Sequence, residues 1–401
     1  MKVIFINYGI FNSNSGGHVA YFANSISRYV EEVMVIGQGD EAALAEYGHR
    51  RFRVAQFPDP ADSIPAEILE FAASGETIIH AWTPRGNVIQ LVDRLARESG
   101  APYVVHLEDN EELLLAANLG MSVDTLNNMD SRSLDKIVPL HLSHPRKAAA
   151  FLSQAVGVTM IVSALDKFRP NAVPGHVLEP GVDDETFAPN LSSARRETLR
   201  EELYIDKDAI AIAYHGNIHS ANVAEVFSLY SAVLILRRRG HNVVLIRAGR
   251  DFVDNVDPSF AYLKGEWVIN LGFLDRARLI EVLKLADIFV QPGAPGEFND
   301  YRLPSKIPEF LSLGKPVLLP KTNIGHRLID GQNALLLGRG DGMDIANRIE
   351  ELIRAPERGE AIGKGGRDFA RKELNWDVNA RALQEFYQFV LLRSNELALK
   401  G

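Results

Sequence analysis

Short apolar runs alternate with longer amphipathic stretches along the whole chain, and this alternation predicts the fold class before any motif is considered. In the first half KVIFINY, EVMVIG, FRVAQF, TIIHAW, YVVHLE and VTMIVS read as strands, with helical patterns between several of them, as at 18–30 and 87–99. The second half repeats the theme with AIAIAYHG, NVVLIRAG, VINLGFL, DIFVQPG, KPVLLP and ALLLG. Continuously apolar strands separated by helices belong to parallel sheets covered on both faces. The expected class is therefore α/β, with two doubly wound parallel-sheet (Rossmann-like) domains.

The break between them falls in HVLEPGVDDETFAPN, 176–190, where prolines, a glycine and an acidic cluster follow the last strand of the first half. This places a first domain at 1–182 and a second at 183–375, followed by a C-terminal helix, 376–401, that crosses back to the first domain. A chain of 401 residues is too long for one ordinary core, which agrees with two domains. The formal net charge of -9 argues against a broad nucleic-acid footprint. There are no cysteines, so disulfides, thiolate catalysis and cysteine-ligated zinc are excluded. No run reaches the roughly 20 apolar residues of a membrane-spanning helix. The opening MKVIFI is too short an apolar run for a signal sequence and reads as the first strand.

One segment, YRLPSKIPEFLSLGKPVLLP (301–320), concentrates chemistry. Its apolar residues recur at helical spacing, Pro304 suits a first turn and Gly314 a C-terminal end, and Val317 to Leu319 reads as a strand. Arg302 and Lys306 beside a helix start suggest a phosphate site, since that end carries free N–H groups and positive potential. The first glycine-rich turn, NYGIFNSNSGGHVAYFANSISRYV, enters a helix at about Gly17 but lacks the G-x-G-x-x-G spacing of a dinucleotide site. It reads equally as a strand–helix turn or a ligand loop. His106 ends a strand and is followed by Glu108, Asp109, Glu111 and Glu112; a satisfied histidine before an acidic helix start is the plain alternative. His80 and Trp82 end another strand and carry the same ambiguity. H-E-x-x-H, G-x-S-x-G and P-loop patterns are absent.

Taken together, the ordered pieces resemble the retaining glycosyltransferases of the GT-B fold, carbohydrate-active family four (glycosyl transferases group 1). They are Gly16-Gly17, His106, LEPGVDDETFAP, YHGNIHSANV, VINLGFLDRARLIEVLKLADIFVQPG, the E…GKPV segment, LIDGQNALLL and LNWDVNARALQEFYQFV. The resemblance covers almost the entire chain. It implies two domains facing a central cleft, a nucleotide-diphosphate sugar held mainly by the second and a hydroxyl acceptor held mainly by the first. On this basis Glu309 matches the second glutamate of the family's E-x7-E motif and binds the ribose. Phe273 and Leu274 border the base, and His106 contacts the transferred sugar. Gly16, Gly17, Gly216, Asn217, Asp300, Tyr301 and Ser305 fall in the donor-binding segments.

Three departures matter. The first glutamate of E-x7-E is replaced by Tyr301, with Glu297 or Asp300 as substitutes. The family's phosphate-binding Arg and Lys are replaced by Asn217 and Asn222. Arg302 and Lys306 then become the expected catalytic cations, with Arg247 and Arg250 in reserve. The resemblance implies sugar transfer in polysaccharide, glycolipid or other glycoconjugate synthesis, with no metal or cofactor, at a cytoplasmic location. Peripheral membrane contact would need a basic face, but Arg94, Arg97, Arg132, Lys136, Arg146 and Lys147 are interleaved with acids. The alternatives are a nucleotide-sugar epimerase of the same architecture and a catalytically weak nucleotide- or partner-binding module.

Overall fold

Both halves build the same kind of layer, a parallel sheet sandwiched between helices, as the buried strands require. The computed structural model describes residues 1–59, 62–182, 191–219, 221–252, 262–263 and 265–400. Residues 183–190 of the junction segment lie outside these. The chain divides into two units, Met1–Pro180 with Trp376–Gly401, and Gly181–Asn375.

In the first unit the strands are β1 (Lys2–Ile10), β2 (Glu32–Gln38), β3 (Arg53–Gln56), β4 (Thr77–Trp82), β5 (Tyr103–Leu107), β6 (Gly157–Met160) and β7 (Gly175–Val177). They pair in the order β3-β2-β1-β4-β5-β6-β7, all parallel. The order reverses between β1 and β4, which opens a crevice beyond their C-terminal ends. Strand β7 lies in the segment read from sequence as a junction; its three residues, only one of them hydrophobic, carry no period-2 signal. Helix α1 (Asn14–Ile26) begins earlier than its apolar period suggested, because Ser13 caps it by accepting the Gly16 N–H.

The C-terminal helix, Trp376–Lys400, completes this unit. Trp376 stacks on Tyr21 of α1 at 4.7 Å and meets Phe22 edge-on at 5.0 Å. Its Leu383, Tyr387 and Val390 are buried in the same cluster as Val3, Phe5 and Ile78 of the sheet. Burying such side chains is worth about 1.5–3 kcal/mol each, which anchors a segment distant in sequence.

The second unit pairs β8 (Ile210–His215), β9 (Val243–Ala248), β10 (Val268–Asn270), β11 (Ile288–Val290), β12 (Val317–Pro320) and β13 (Leu335–Leu337). Their order is β10-β9-β8-β11-β12-β13, again parallel, with the reversal between β8 and β11. Ile212, Tyr214, Val243, Leu245, Ile288 and Val290 line one face of this sheet, with Val226, Tyr230 and Val233 of the helix Val223–Arg238 in the same buried cluster. Two doubly wound sheets are thus present, as the alternation predicts.

Candidate functional site

The edge of the second unit's sheet at the β8–β11 reversal collects the chemistry. Gly216 (φ 144°) follows strand β8, and the turn after β9 carries Gly249 (φ 127°). A Cβ on Gly249 would stand 2.3 Å from the Gly216 carbonyl oxygen, so the two loops meet only because neither residue has a side chain. A Cβ on Gly216 would in turn lie 2.8 Å from Lys306 Nζ. Lys306 therefore lays its ammonium over bare backbone, 5.1 Å from the Tyr214 ring centroid. Among the described residues it makes no hydrogen bond or ion pair. Burial, aided by Arg302 and opposed by Glu309 and Glu225, brings its pKa down to about 8.

Arg302 is placed differently from its sequence expectation. The helix α7 spans only Lys306–Ser312, Pro304 precedes it, and Ser305 sits at the cap position without a side-chain cap bond. (Upstream of it lie α2, Gly86–Ser99; α3, Glu111–Leu119; α4, Pro145–Gln154; α5, Val223–Arg238; and α6, Arg276–Leu283.) Arg302 thus lies upstream of the helix and is not oriented by its N-terminus. It donates to Asn299 Oδ1 at 2.8 and 3.2 Å, lies 3.4 Å from Glu225 of α5, and stacks over Phe298 at 4.0 Å. Its charge is compensated within the unit. Asp300 faces His326 at 2.9 Å, and Tyr301 sits half-buried beside it.

Glu309 is held between two partners: Arg276 at the start of α6, 2.5 Å from Oε1, and His215 at the end of β8, 2.9 Å from Oε2. Burial pushes the Glu309 carboxyl up, but His215 and Arg276 outweigh it and keep it ionised below the ordinary range. A carboxylate offers about four lone-pair sites, so two remain for a diol. Sequence reasoning did not find Arg276 or His215 as its partners, since neither lies in the E…GKPV segment.

The asparagines at the family's cationic positions brace the loop. Asn217 Oδ1 accepts the Arg250 N–H at 2.9 Å, and Asn222 Nδ2 donates to the Asn217 carbonyl at 2.9 Å. Arg247 is buried, bonded to Asn270 Oδ1 and to the carbonyls of Gly216 and Arg250, and paired with Asp251 at 2.7 Å. It is a strut beneath the cradle. Arg250 is exposed and lies 4.6 Å over the ring of Phe273, itself 64% exposed; Leu274 is half-buried. Phe273 presents an aromatic face to solvent at the end of β10's turn.

In the first unit, Gly16 and Gly17 open α1 for packing reasons. A Cβ on Gly16 would lie 2.3 Å from the Phe11 carbonyl oxygen, and one on Gly17 would lie 3.0 Å from the Tyr47 ring. Gly16→Ala should therefore destabilise the protein by about 1–3 kcal/mol, read as a lower denaturant midpoint. An unchanged midpoint would show that the turn can open.

Next to these glycines a buried polar network occupies the strand ends. Glu108 Oε1 lies 2.8 Å from His18 Nδ1, and Ser15 Oγ donates to Glu108 Oε2. Burial raises the Glu108 carboxyl, but His18, His106 and Ser15 bring it down to about 2. Arg85 holds Glu111, at the start of α3, through 3.2 Å contacts and stacks 3.8 Å over Tyr8. His106 is fully buried, stacked on Trp82 at 4.0 Å with Nδ1 2.8 Å from Thr159 Oγ1. Burial, opposed by Glu108 and aided by His18, brings its pKa down to about 3, so the ring is neutral. His80 is spoken for by Tyr387 and Thr159 at 2.6 and 2.9 Å.

Several buried polar atoms at this edge make no hydrogen bond to a described residue: Asn7 Oδ1, His18 Nε2, Trp82 Nε1, Thr83 Oγ1 and His106 Nε2. Thr83 also has φ 74°, strained for a β-branched residue. Orphaned polar groups and strain gathered at one sheet edge fit a surface that hydrogen-bonds a polar ligand. His18, Ser15, Tyr8 and Arg85 were missed by sequence reasoning. The only signal was position, since each lies at or just after a strand's C-terminal end.

Comparison with known proteins agrees with this geometry. Residues 209–355 match the family model of Glycosyl transferases group 1. A D-inositol 3-phosphate glycosyltransferase of Saccharomonospora viridis is 24% identical over 243 residues, 58% of this chain and 53% of the relative. The putative glycosyltransferase EpsD of Bacillus subtilis is 27% identical over 194 residues, 47% of this chain and 48% of the relative. The chain thus spans about half the length of the curated relatives it matches. Among solved structures, Anabaena HepE in complex with UDP-glucose superimposes with TM-score 0.72 at 16% identity, covering 97% of this chain and 99% of that one. WaaG, a glycosyltransferase involved in lipopolysaccharide biosynthesis, gives 0.59 at 16% identity, over 95% and 98%. The fold is GT-B, and residues 209–355 of the second unit are similar to the group 1 glycosyltransferases.

Proposed function

We propose that this chain is a group 1 glycosyltransferase that moves a sugar from a nucleotide-diphosphate sugar to a hydroxyl acceptor, with retention of anomeric configuration, in polysaccharide, glycolipid or other glycoconjugate synthesis. The observation that carries the reading is the pairing at one sheet edge of Lys306, an ammonium without hydrogen bond or ion pair to any described residue and laid over the bare backbone of Gly216, with the ionised Glu309. The first suits a pyrophosphate oxygen and the second a ribose diol. Phe273 offers the base a stacking face. UDP is the first nucleoside diphosphate to try, since the Anabaena neighbour was solved with UDP-glucose and with UDP.

As the sugar–phosphate bond breaks, negative charge grows on the leaving oxygen and positive charge on the anomeric carbon. Lys306, fixed beside that oxygen, stabilises the transition state more than the ground state. In a retaining transfer the acceptor hydroxyl attacks on the leaving-group face and its proton passes to the phosphate oxygen, so no protein nucleophile or metal is invoked. The unpartnered Nε2 atoms of His18 and His106 at the first unit's strand edge are suited to sugar hydroxyls. Arg302 is the weaker candidate, because Glu225 and Asn299 already hold it. That sequestration favours a second reading, a module that binds nucleotide but turns it over poorly.

Thermal stabilisation by UDP, GDP, ADP and CMP, with NAD as control, tests the reading. A selective diphosphate at about 100 times its Kd should add roughly 2.7 kcal/mol, and Glu309→Gln should remove most of that stabilisation. No response to any diphosphate would sink the proposal, while binding without turnover over many acceptors would favour the module. A second readout concerns protons. With its pKa near 8 in the free protein, Lys306 is partly neutral at pH 8.5, and an incoming pyrophosphate raises that pKa. Binding at pH 8.5 should therefore take up protons, seen by calorimetry in buffers of different ionisation enthalpy, and Lys306→Met should abolish the uptake. Equal uptake in the variant would remove Lys306 from the phosphate site.

A further inference from the structure

The loop after β8 carries a side chain to which the sugar-transfer reading gives no part, His219. In this loop Asn217 and Asn222 stand where the resemblance places two cations, and Arg302 is already held by Asn299 and Glu225. A pyrophosphate diester bears negative charge on both phosphate groups, so the Lys306 ammonium by itself leaves charge unmatched.

The main chain fixes where His219 sits. The preceding Ile218 is pinned from both sides, its N–H donating to the Arg250 carbonyl at 2.9 Å and its carbonyl accepting the Phe252 N–H at 2.7 Å. The Ile218 side chain is buried in the unit's core cluster, and in extended backbone the next side chain points the other way, so His219 is exposed. The His219 N–H donates to Asn222 Oδ1 at 2.9 Å, and its carbonyl accepts the N–H groups of Asn222 and Val223, each at 3.0 Å. The imidazole itself makes no hydrogen bond or ion pair with any described residue. The charges that act on it come from another element: Arg302, upstream of α7, and Lys306, at its first position. Lys306 Nζ also lies over Gly216, at the base of the same loop. Glu225, in the first turn of α5, is engaged instead by Asn299 at 2.5 Å and Arg302 at 3.4 Å. Burial, then Arg302 and Lys306, hold the His219 pKa below the ordinary histidine value, so the ring is mostly neutral at pH 7 in the free protein.

We propose that His219 is a second ligand of the donor's pyrophosphate, joining Lys306 at the β8 loop and taking a proton from water as the anion arrives. This rests on the sugar-transfer reading and adds a residue to its donor site. Neutral in the empty site, the ring spares the loop a third positive charge beside Arg302 and Lys306. With the anion bound, the local charge reverses and favours the imidazolium, whose N–H makes a charge-assisted bond to a phosphate oxygen. The cation missing at Asn217 and Asn222 is thus supplied only when a diphosphate is there to hold it.

The probe is UDP, or GDP or ADP if one of those is the diphosphate that stabilises the chain. The imidazole Cε1–H resonance of His219, assigned by its loss in His219→Gln, is followed with pH in the full chain with and without the nucleotide. Saturating nucleotide should raise the imidazole pKa by about one unit, and by linkage His219→Gln should then bind roughly threefold more weakly than the wild type at pH 6.0 and equally at pH 8.0. Ionisation of the nucleotide itself cancels in that ratio. His219→Lys, which keeps its charge, should bind more tightly than the wild type at pH 8.0. Because main-chain atoms hold the loop, neither substitution removes a bond that the fold uses. An imidazole pKa that the nucleotide leaves unmoved, or a His219→Gln penalty that is the same at both pH values, would make His219 a solvated loop side chain and overturn the inference while donor binding stands. Failure of every diphosphate to bind the wild type would instead sink the sugar-transfer reading, and this inference with it.

Discussion

Exchanging Lys306 for methionine will lower kcat/KM for donor turnover by about 10²–10³-fold without lowering thermal stability. The kinetic half follows from position, since the ammonium lies at the one place where bare Gly216 backbone lets a charged group approach the strand end. The stability half follows from its surroundings. With no hydrogen bond or ion pair to a described residue, and with Glu309 and Glu225 only partly offsetting burial and Arg302, the protonated lysine is disfavoured in the folded state, and its pKa falls to about 8 from 10.5. Between those values the unfolded chain binds more protons than the folded one, so wild-type stability rises with pH across that window. Methionine, of similar length, keeps the contact with Tyr214 and removes the burdened charge. The variant should therefore equal or exceed the wild type at pH 7, with the gap narrowing by pH 10. Unchanged kinetics at saturating donor would exclude Lys306 from the mechanism, and a large stability loss at pH 7 would make it a structural residue.

Arg85→Met will have the opposite signature, a loss of about 3–5 kcal/mol in folding free energy. The side chains of Arg85 and Glu111 are only 10% and 9% exposed and share 3.2 Å contacts. Burial already raises the Glu111 pKa in spite of Arg85. Without the guanidinium, Glu111 becomes a lone buried carboxylate and will take up a proton. Its folded pKa then lies further above its unfolded value, so stability falls as pH rises through that interval. The deficit should be larger at pH 8 than at pH 5 in urea denaturation. Adding Glu111→Leu should recover most of it, because a paired ion replaced whole costs far less than one partner removed. A loss below about 1 kcal/mol, or a double variant no better than the single, would show that water reaches the pair.

The two outcomes differ because Lys306 is a charge held in readiness, whereas Arg85 is a charge that neutralises another. Neither distinction was legible in the sequence. Lys306 and Arg302 stood together in one segment and were given the same role, yet Asn299, Glu225 and Phe298 engage one and leave the other. The reserve Arg247 looked like an available cation at a strand end, while in the fold it is buried under the Gly216 turn. Asn217 and Asn222 looked like losses of phosphate-binding charge, and the structure shows them building the loop.

What the sequence by itself determined is the layer architecture. Buried parallel strands must be apolar on both faces and must be joined by helices, so their order of runs is written locally, and the two sheets follow it. It also determined that the polar residues worth examining lie after strands, since only loops there can present side chains at a sheet's reversal point. Only the tertiary structure decided which of them carry available charge. Pairings such as His18 with Glu108, Arg276 with Glu309 and His80 with Tyr387 join residues from distant segments. Burial and pairing, the two quantities that set a group's charge and reach, are properties of neighbours in space, and no local period encodes them.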